Sequence, residues 1–124
     1  MSADESKLRI DDYLEHMLEA TRLARTFTEG MNKTDFLADK RTQQAVILNL
    51  VTIGEAASKL SNDHKEFVAA HPNIPWPQMK GMRNRMAHGY FAINLDIVWD
   101  TIQTALPSLE DQLAKIQAER TSAD

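Results

Sequence analysis

Apolar side chains recur along this chain at every third or fourth position rather than every second one. That is the period of a helix with one face in a core. From about Glu5 to Thr28, Ile10, Leu14, Met17, Leu18, Thr21, Ala24 and Phe27 step by three and four, predicting an amphipathic helix. Gly30 then supplies a stop, because glycine accepts a left-handed conformation without strain. Thr34 is the expected N-cap of a short turn through Phe36 and Leu37.

A second long helix is predicted over about Lys40 to Leu60, with Asp39 as its N-cap. Ala45, Val46, Leu48, Leu50, Val51, Ile53, Ala56, Ala57 and Leu60 make it apolar over much of its circumference. Such a helix is buried on more than one side, centrally in a bundle or at a subunit contact. Gly54 inside it costs about 1 kcal/mol relative to Ala, so its expected use is a close helix approach. The adjacent Glu55 is a lone acid among apolar residues, read as structural and partly exposed or hydrogen-bonded rather than catalytic.

Ser61-Asn62-Asp63 is expected to break that helix and cap a short one through Phe67 and Ala70. Pro72, Pro75 and Pro77 then predict an irregular connection, with Trp76 plugging the end of the core. A helix from about Pro77 to His88 should end at Gly89, with Met79, Met82 and Met86 as its apolar stripe. Asn94 is the next N-cap, followed by Leu95, Val98, Trp99, Ile102, Leu106, Leu109, Leu113 and Ile116. Pro107 interrupts this pattern, and Ser108 with Asp111 resembles a capping box, so one kinked helix and two stacked ones are both open. The last four residues are expected to fray. No stretch alternates with period two. The expected fold is all-α, a four- to five-helix up-and-down bundle forming one domain over residues 1–124.

Size and composition agree with this and narrow the chemistry. At 124 residues, 43% hydrophobic and 26% charged, the chain matches an ordinary globular domain. It has no cysteine, which excludes a disulfide scaffold, a thiolate metal site and a cysteine nucleophile. No apolar run exceeds four residues, so no membrane span or signal segment is expected, and the expected compartment is the cytoplasm. The net charge of −4 is a poor omen for a nucleic-acid binder, yet it is unevenly spread. From Phe67 to Leu95 there is no Asp or Glu, while Lys80, Arg83 and Arg85 all fall there. That window carries +3 within the total of −4, leaving −7 on the rest, and it is where a polyanion could bind.

The window holds the stretch Gly81-Met82-Arg83-Asn84-Arg85-Met86-Ala87-His88-Gly89-Tyr90. Asn84 and His88 are four apart, so a helix places them about 40° apart on one face, with Arg85 close by. Arg83 lies about 140° round from His88. Either the helix end distorts at Gly89, or a second copy of the chain completes the site. An Arg and a His without a neighbouring acid suit RNA cleavage. The imidazole exchanges a proton with the ribose 2′-hydroxyl or the leaving 5′-oxygen, and the guanidinium holds the scissile phosphate. Tyr90 could position the phosphate or stack on a base. The four histidines have no zinc-like spacing and no carboxylate pair lies in the window, so neither a metal nor another cofactor is expected. Other readings of the same residues are an Arg-rich helix end favourable to the C-terminal dipole and a satisfied core histidine.

The string Arg83-Asn84-Arg85-Met86-Ala87-His88-Gly89-Tyr90 resembles the R-x4-H-x-Y motif of HepT-like toxins, within the HEPN superfamily of minimal ribonucleases. Ile53-Gly54-Glu55-Ala56, Ile74-Pro75-Trp76, Val98-Trp99 and Leu106-Pro107 resemble that family too, and the likeness spans roughly residues 8 to 115. The resemblance implies an all-helical homodimer with a composite cleft on the two-fold axis. It implies a metal-independent endoribonuclease that leaves a 2′,3′-cyclic phosphate, with Arg83 and His88 matching the catalytic pair and Asn84 the residue that orients the site. Tyr90 matches the tyrosine to which an antitoxin, a small nucleotidyltransferase of the MntA type, adds AMP units. Arg85 stands outside the family pattern and, with Lys80, is assigned RNA-backbone binding. The alternative from a different class is a non-catalytic helical partner that binds nucleotide or docks a nucleotidyltransferase.

Overall fold

The computed structural model describes residues 9–89 and 92–123. Among the described residues seven α-helices follow one another: α1 (Ile10–Phe27), α2 (Lys33–Ala38), α3 (Lys40–Asp63), α4 (Lys65–Ala70), α5 (Trp76–His88), α6 (Leu95–Asp100) and α7 (Leu106–Ala123), with a π-helical segment Thr101–Ala105 joining the last two. No strand occurs among the described residues. The expected all-α bundle is what forms. Its four long rods are α1, α3, α5 and the α6–π–α7 run, and α2 and α4 are short connecting helices.

Helix α3 is central, packing on α1 along one side and α5 along another, while α7 closes against α1. Its two buried flanks explain the broad apolar circumference: Val46, Ile47, Leu50, Ile53, Ala56, Ala57 and Leu60 are all buried. Leu48, counted among those apolar positions, instead stands 66% exposed. From α1, Leu14, Met17, Leu18, Ala20 and Ala24 enter the same core, and α7 adds Leu109, Leu113 and Ile116.

The helix ends follow local chemistry. Asp39 caps α3 by accepting from the Thr42 amide at 3.0 Å, and Asn94 caps α6 by accepting from Asp96 and Ile97. Gly30 takes a φ of +80°, two residues beyond the Thr28 that caps α1. Two expected boundaries move, and a third that was left open is decided. Thr34 is not a cap: α2 starts two residues earlier than that cap would place it, with Asn32 and Asp35 forming a reciprocal box in which each side chain accepts from the other's amide, asparagine being the stronger N-cap type. Ser61-Asn62-Asp63 does not break α3. The Ser61 hydroxyl donates back to the Ala57 carbonyl at 2.8 Å, so it stays inside the helix, and His64 both ends α3 and starts α4. Pro107 neither splits the last helix nor restarts it at Ser108. The Leu106 amide reaches five residues back to the Thr101 carbonyl, and this widened turn accommodates a proline that has no amide to donate.

Trp76 does plug the core end. It is 5% exposed, and its Nε1 donates to the His71 carbonyl at 2.9 Å. Ion pairs tie the bundle outside the core. Glu110 of α7 accepts from Arg25 at 2.7 Å and Arg22 at 3.3 Å on α1, and Asp11 of α1 accepts from Arg120 of α7 at 2.6 Å.

The α3–α5 contact has no room for a side chain at Gly54. A β-carbon there would collide with the Arg83 β-carbon and lie 2.7 Å from the Met79 carbonyl oxygen. At Gly81 the nearest atom would be the flexible end of Arg85, at 3.5 Å. Gly54→Ala is therefore expected to destabilise the chain, overpacking of about 1–3 kcal/mol outweighing the helix-propensity gain of about 1 kcal/mol. Gly81→Ala should be neutral or stabilising; urea unfolding of the two variants checks the contrast. The guanidinium contacts, Arg25 first for Glu110 and Arg120 for Asp11, hold both carboxyls below their ordinary values of 4.5 and 3.8. A carboxyl depressed in the folded state stabilises above its unfolded pKa and loses that contribution as pH falls through the folded one. Stability from these pairs should thus hold from neutral pH to about 5 and decline below about 4. A Glu110→Gln/Asp11→Asn variant should show a shallower acid decline and lose about 1 kcal/mol or less per pair at pH 7, as for ion pairs that solvent reaches and screens.

Candidate functional site

Helix α5 carries the cationic window, and its faces sort the window's residues. Met79 and Met86 are buried and the partly buried Met82 packs against the core, so the expected methionine stripe faces inward. On the opposite side Asn84, Ala87 and His88 are exposed and Lys80 is half-buried. Arg83 lies at the border between these faces, on the flank that meets α3, with its side chain 24% exposed. The missing side chain at Gly54 lets its β-carbon sit directly on α3, so the guanidinium runs along that helix.

There it meets an acid. Arg83 Nε lies 2.9 Å from Glu55 Oε1, and Nη2 donates to Ser58 Oγ at 3.4 Å. The Nε–H is buried and makes no hydrogen bond: at 2.9 Å it is not aimed at the carboxylate, and the attraction is Coulombic. The stretch from Phe67 to Leu95 is free of acids in sequence, but its catalytic candidate is not free of them in space. An along-chain window registers chain neighbours, whereas a packed helix takes its partners from across the contact. Glu55 is the residue whose part in the site the sequence understated; its signal was an acid directly after a helix-packing glycine.

Helix α5 is regular to its end: the Gly89 amide donates to the Arg85 carbonyl at 2.8 Å, the ordinary i to i−4 bond. The alternative in which a distorted helix end swings His88 round to Arg83 therefore fails. Within one chain the two groups stay on different flanks of a rod about 10–12 Å across. Asn84 and His88 do share a face. Arg85 folds back along α5 over Gly81 and lines a groove of about 120 Å³ with Met82, Met86, Ile93 and Ile97, so it leans toward α6 and away from Arg83. Tyr90 lies outside the described residues. Among the described residues no three His, Asp or Glu side chains gather as a metal-ligand set, and no helix is long and apolar enough to cross a membrane.

Known proteins share this arrangement of sequence. A family described as ribonuclease HepT-like matches residues 17–116, which include α3, α5 and the whole Arg83–His88 stretch. A protein of Thermococcus cleftensis named as a probable ribonuclease HepT is 42% identical over 106 residues, covering 86% of this chain and 94% of its own length. Two others are provisionally named as RNases. One, from Caldanaerobacter subterraneus subsp. tengcongensis, is 36% identical over 84% of this chain and 90% of its own; the other, from Methanocaldococcus jannaschii, is 36% identical over 86% and 89%. No solved structure matches the chain significantly. The chain is an all-α helical-bundle protein. It belongs to the HepT-like ribonuclease family.

The exposure of His88 and the burial of Met86 separate site from scaffold. His88→Ala is expected to leave stability within about 0.5 kcal/mol of the wild type, whereas Met86→Ala should cost about 2–5 kcal/mol through lost packing. Thermal and urea unfolding monitored by circular dichroism measures both.

Proposed function

We propose that this chain is a metal-independent endoribonuclease, the toxin of a toxin–antitoxin pair, acting in the cytoplasm as a homodimer of a single domain spanning residues 1–124. The observation that carries this reading is the placement of Arg83 and His88. A guanidinium is braced against α3 and an exposed imidazole stands at the end of the same regular helix, in a chain whose family and relatives bear the name ribonuclease.

The chemistry follows from the groups. His88 takes the proton of a ribose 2′-hydroxyl; the 2′-oxygen attacks the adjacent phosphorus, and the bond to the 5′-oxygen breaks as that oxygen receives a proton from a His88 imidazolium. The products are a 2′,3′-cyclic phosphate and a 5′-hydroxyl. Arg83 holds the non-bridging phosphate oxygens and stabilises the charge that grows on them. Asn84, one turn before His88 on the same face, orients the ribose or phosphate, while Lys80 and Arg85 contact flanking backbone phosphates. Arg83 and His88 occupy different flanks of α5, so one phosphodiester is served by pairing two copies of the motif across a two-fold axis. No step requires a metal or other cofactor. Tyr90, two residues beyond His88, is the site at which an MntA-type nucleotidyltransferase antitoxin adds AMP, placing anionic phosphate where RNA must bind.

Expression of the wild-type chain in bacteria should arrest growth, and His88→Ala or Arg83→Ala should relieve it. The purified wild type should cleave RNA at an undiminished rate in excess EDTA, with at least a hundredfold loss in either variant, about the low end of what a positioned acid–base or oxyanion group supplies. Equal growth of all three strains and intact RNA would overturn the reading and favour a non-catalytic docking partner. A Tyr90→Phe chain that cleaves RNA yet resists co-expressed nucleotidyltransferase would support the proposed neutralisation; one that is silenced as the wild type is would overturn it.

A further inference from the structure

We infer that Glu55 is a positioning residue for Arg83, fixing which edge of the guanidinium faces a bound phosphate; this rests on the ribonuclease reading above. A guanidinium offers two donor edges, one formed by Nε with Nη2 and the other by Nη1 with the second hydrogen of Nη2. Glu55 Oε1 stands 2.9 Å from Nε and Ser58 Oγ 3.4 Å from Nη2. Both belong to α3, three residues apart and hence on one face of it. Glu55 thus stands against the first edge as an ion-pair partner and Ser58 accepts from it, which leaves the second edge for the paired oxygens of a phosphodiester.

Several features make this more than a surface ion pair. Arg83 starts from a fixed base on α3, because its β-carbon rests on the backbone surface at Gly54. Its Nε is buried without a hydrogen bond, so the carboxylate is the principal group that compensates it. Glu55 is half exposed and therefore screened by water, so it orients the guanidinium without cancelling the charge that attracts a phosphate. The misaligned Nε–H also leaves the pair slack: a phosphate drawing on the far edge would rotate the plane and bring the Nε–H into line with Glu55, as active-site hydrogen bonds tighten when substrate arrives.

The test uses the full-length chain and a short single-stranded RNA. Glu55→Gln keeps the shape and removes the charge; as a half-exposed position it should fold with an unchanged melting temperature. Its kcat is expected to fall about ten- to a hundredfold, the scale of a misoriented catalytic group, with KM within about threefold. In an Arg83→Lys background, where no planar edge remains, Glu55→Gln should change nothing further. The Arg83 15Nε–H resonance, identified by its loss in Arg83→Lys, should be protected from solvent exchange in the wild type and exchange rapidly in Glu55→Ala. An undiminished kcat in Glu55→Gln, losses that multiply in the double variant, or an Nε–H signal indifferent to Glu55→Ala would each overturn the inference. A wild type that cleaves no RNA overturns the ribonuclease reading instead, and the resonance then still decides whether Glu55 orients Arg83.

Discussion

Helices α3 and α5 meet where one of them has no side chain to offer. With Gly54 at the crossing, the α5 backbone and the Arg83 β-carbon come down onto α3 at a distance that any larger residue forbids. The rest of the site inherits this constraint. It turns the Met79–Met82–Met86 stripe into the core, sets Arg83 on the α3 flank beside Glu55 and Ser58, and leaves Asn84 and His88 on the outer face. A helix glycine costs conformational entropy wherever it stands; at this crossing that cost is offset by contact between two central rods.

Much of the fold could be read from the chain because α-helical periodicity and capping are local. The periods of α1, α3 and α7, the Asp39 and Asn94 caps, the Trp76 plug and the use of Gly54 all depend on residues a few positions apart or on the type of one residue. The boundaries that moved or stayed open were those where two local chemistries competed. Asn32 outranked Thr34 because Asp35 completed its box. Ser61 stayed helical because its hydroxyl found the Ala57 carbonyl, and Pro107 was absorbed by a wider turn. In each case the same residue types permit both outcomes and the surrounding packing chose.

The site was half visible for a different reason. Arg83, Asn84 and His88 stand out because they share one helix, and the angle between Arg83 and His88 follows from helical geometry. Glu55 lies 28 positions upstream of Arg83, and no spacing rule connects them; only the α3–α5 crossing does. The charge pattern was misleading in the same way. The sequence window free of acids marks a stretch whose surroundings are supplied by another helix, so its electrostatics depend on the acid that α3 contributes as well as on its own +3. The HepT-like family match spans both helices, and so brings together two segments that motif spacing treats separately.

The π segment between α6 and α7 has a mechanical consequence. The rod it interrupts is fastened at different places: α6 to α2 through Lys33 and Asp96 at 2.9 Å, and α7 to α1 through Glu110 and Arg120. Between these anchorages the backbone trades tight turns for one wide turn, with Ile102 buried in the core beneath it. A wide turn takes one residue more than an α-turn, so it shifts the register of everything after it by one position. The face that α6 turns to α2 and the face that α7 turns to α1 are therefore set separately, although one continuous rod carries both.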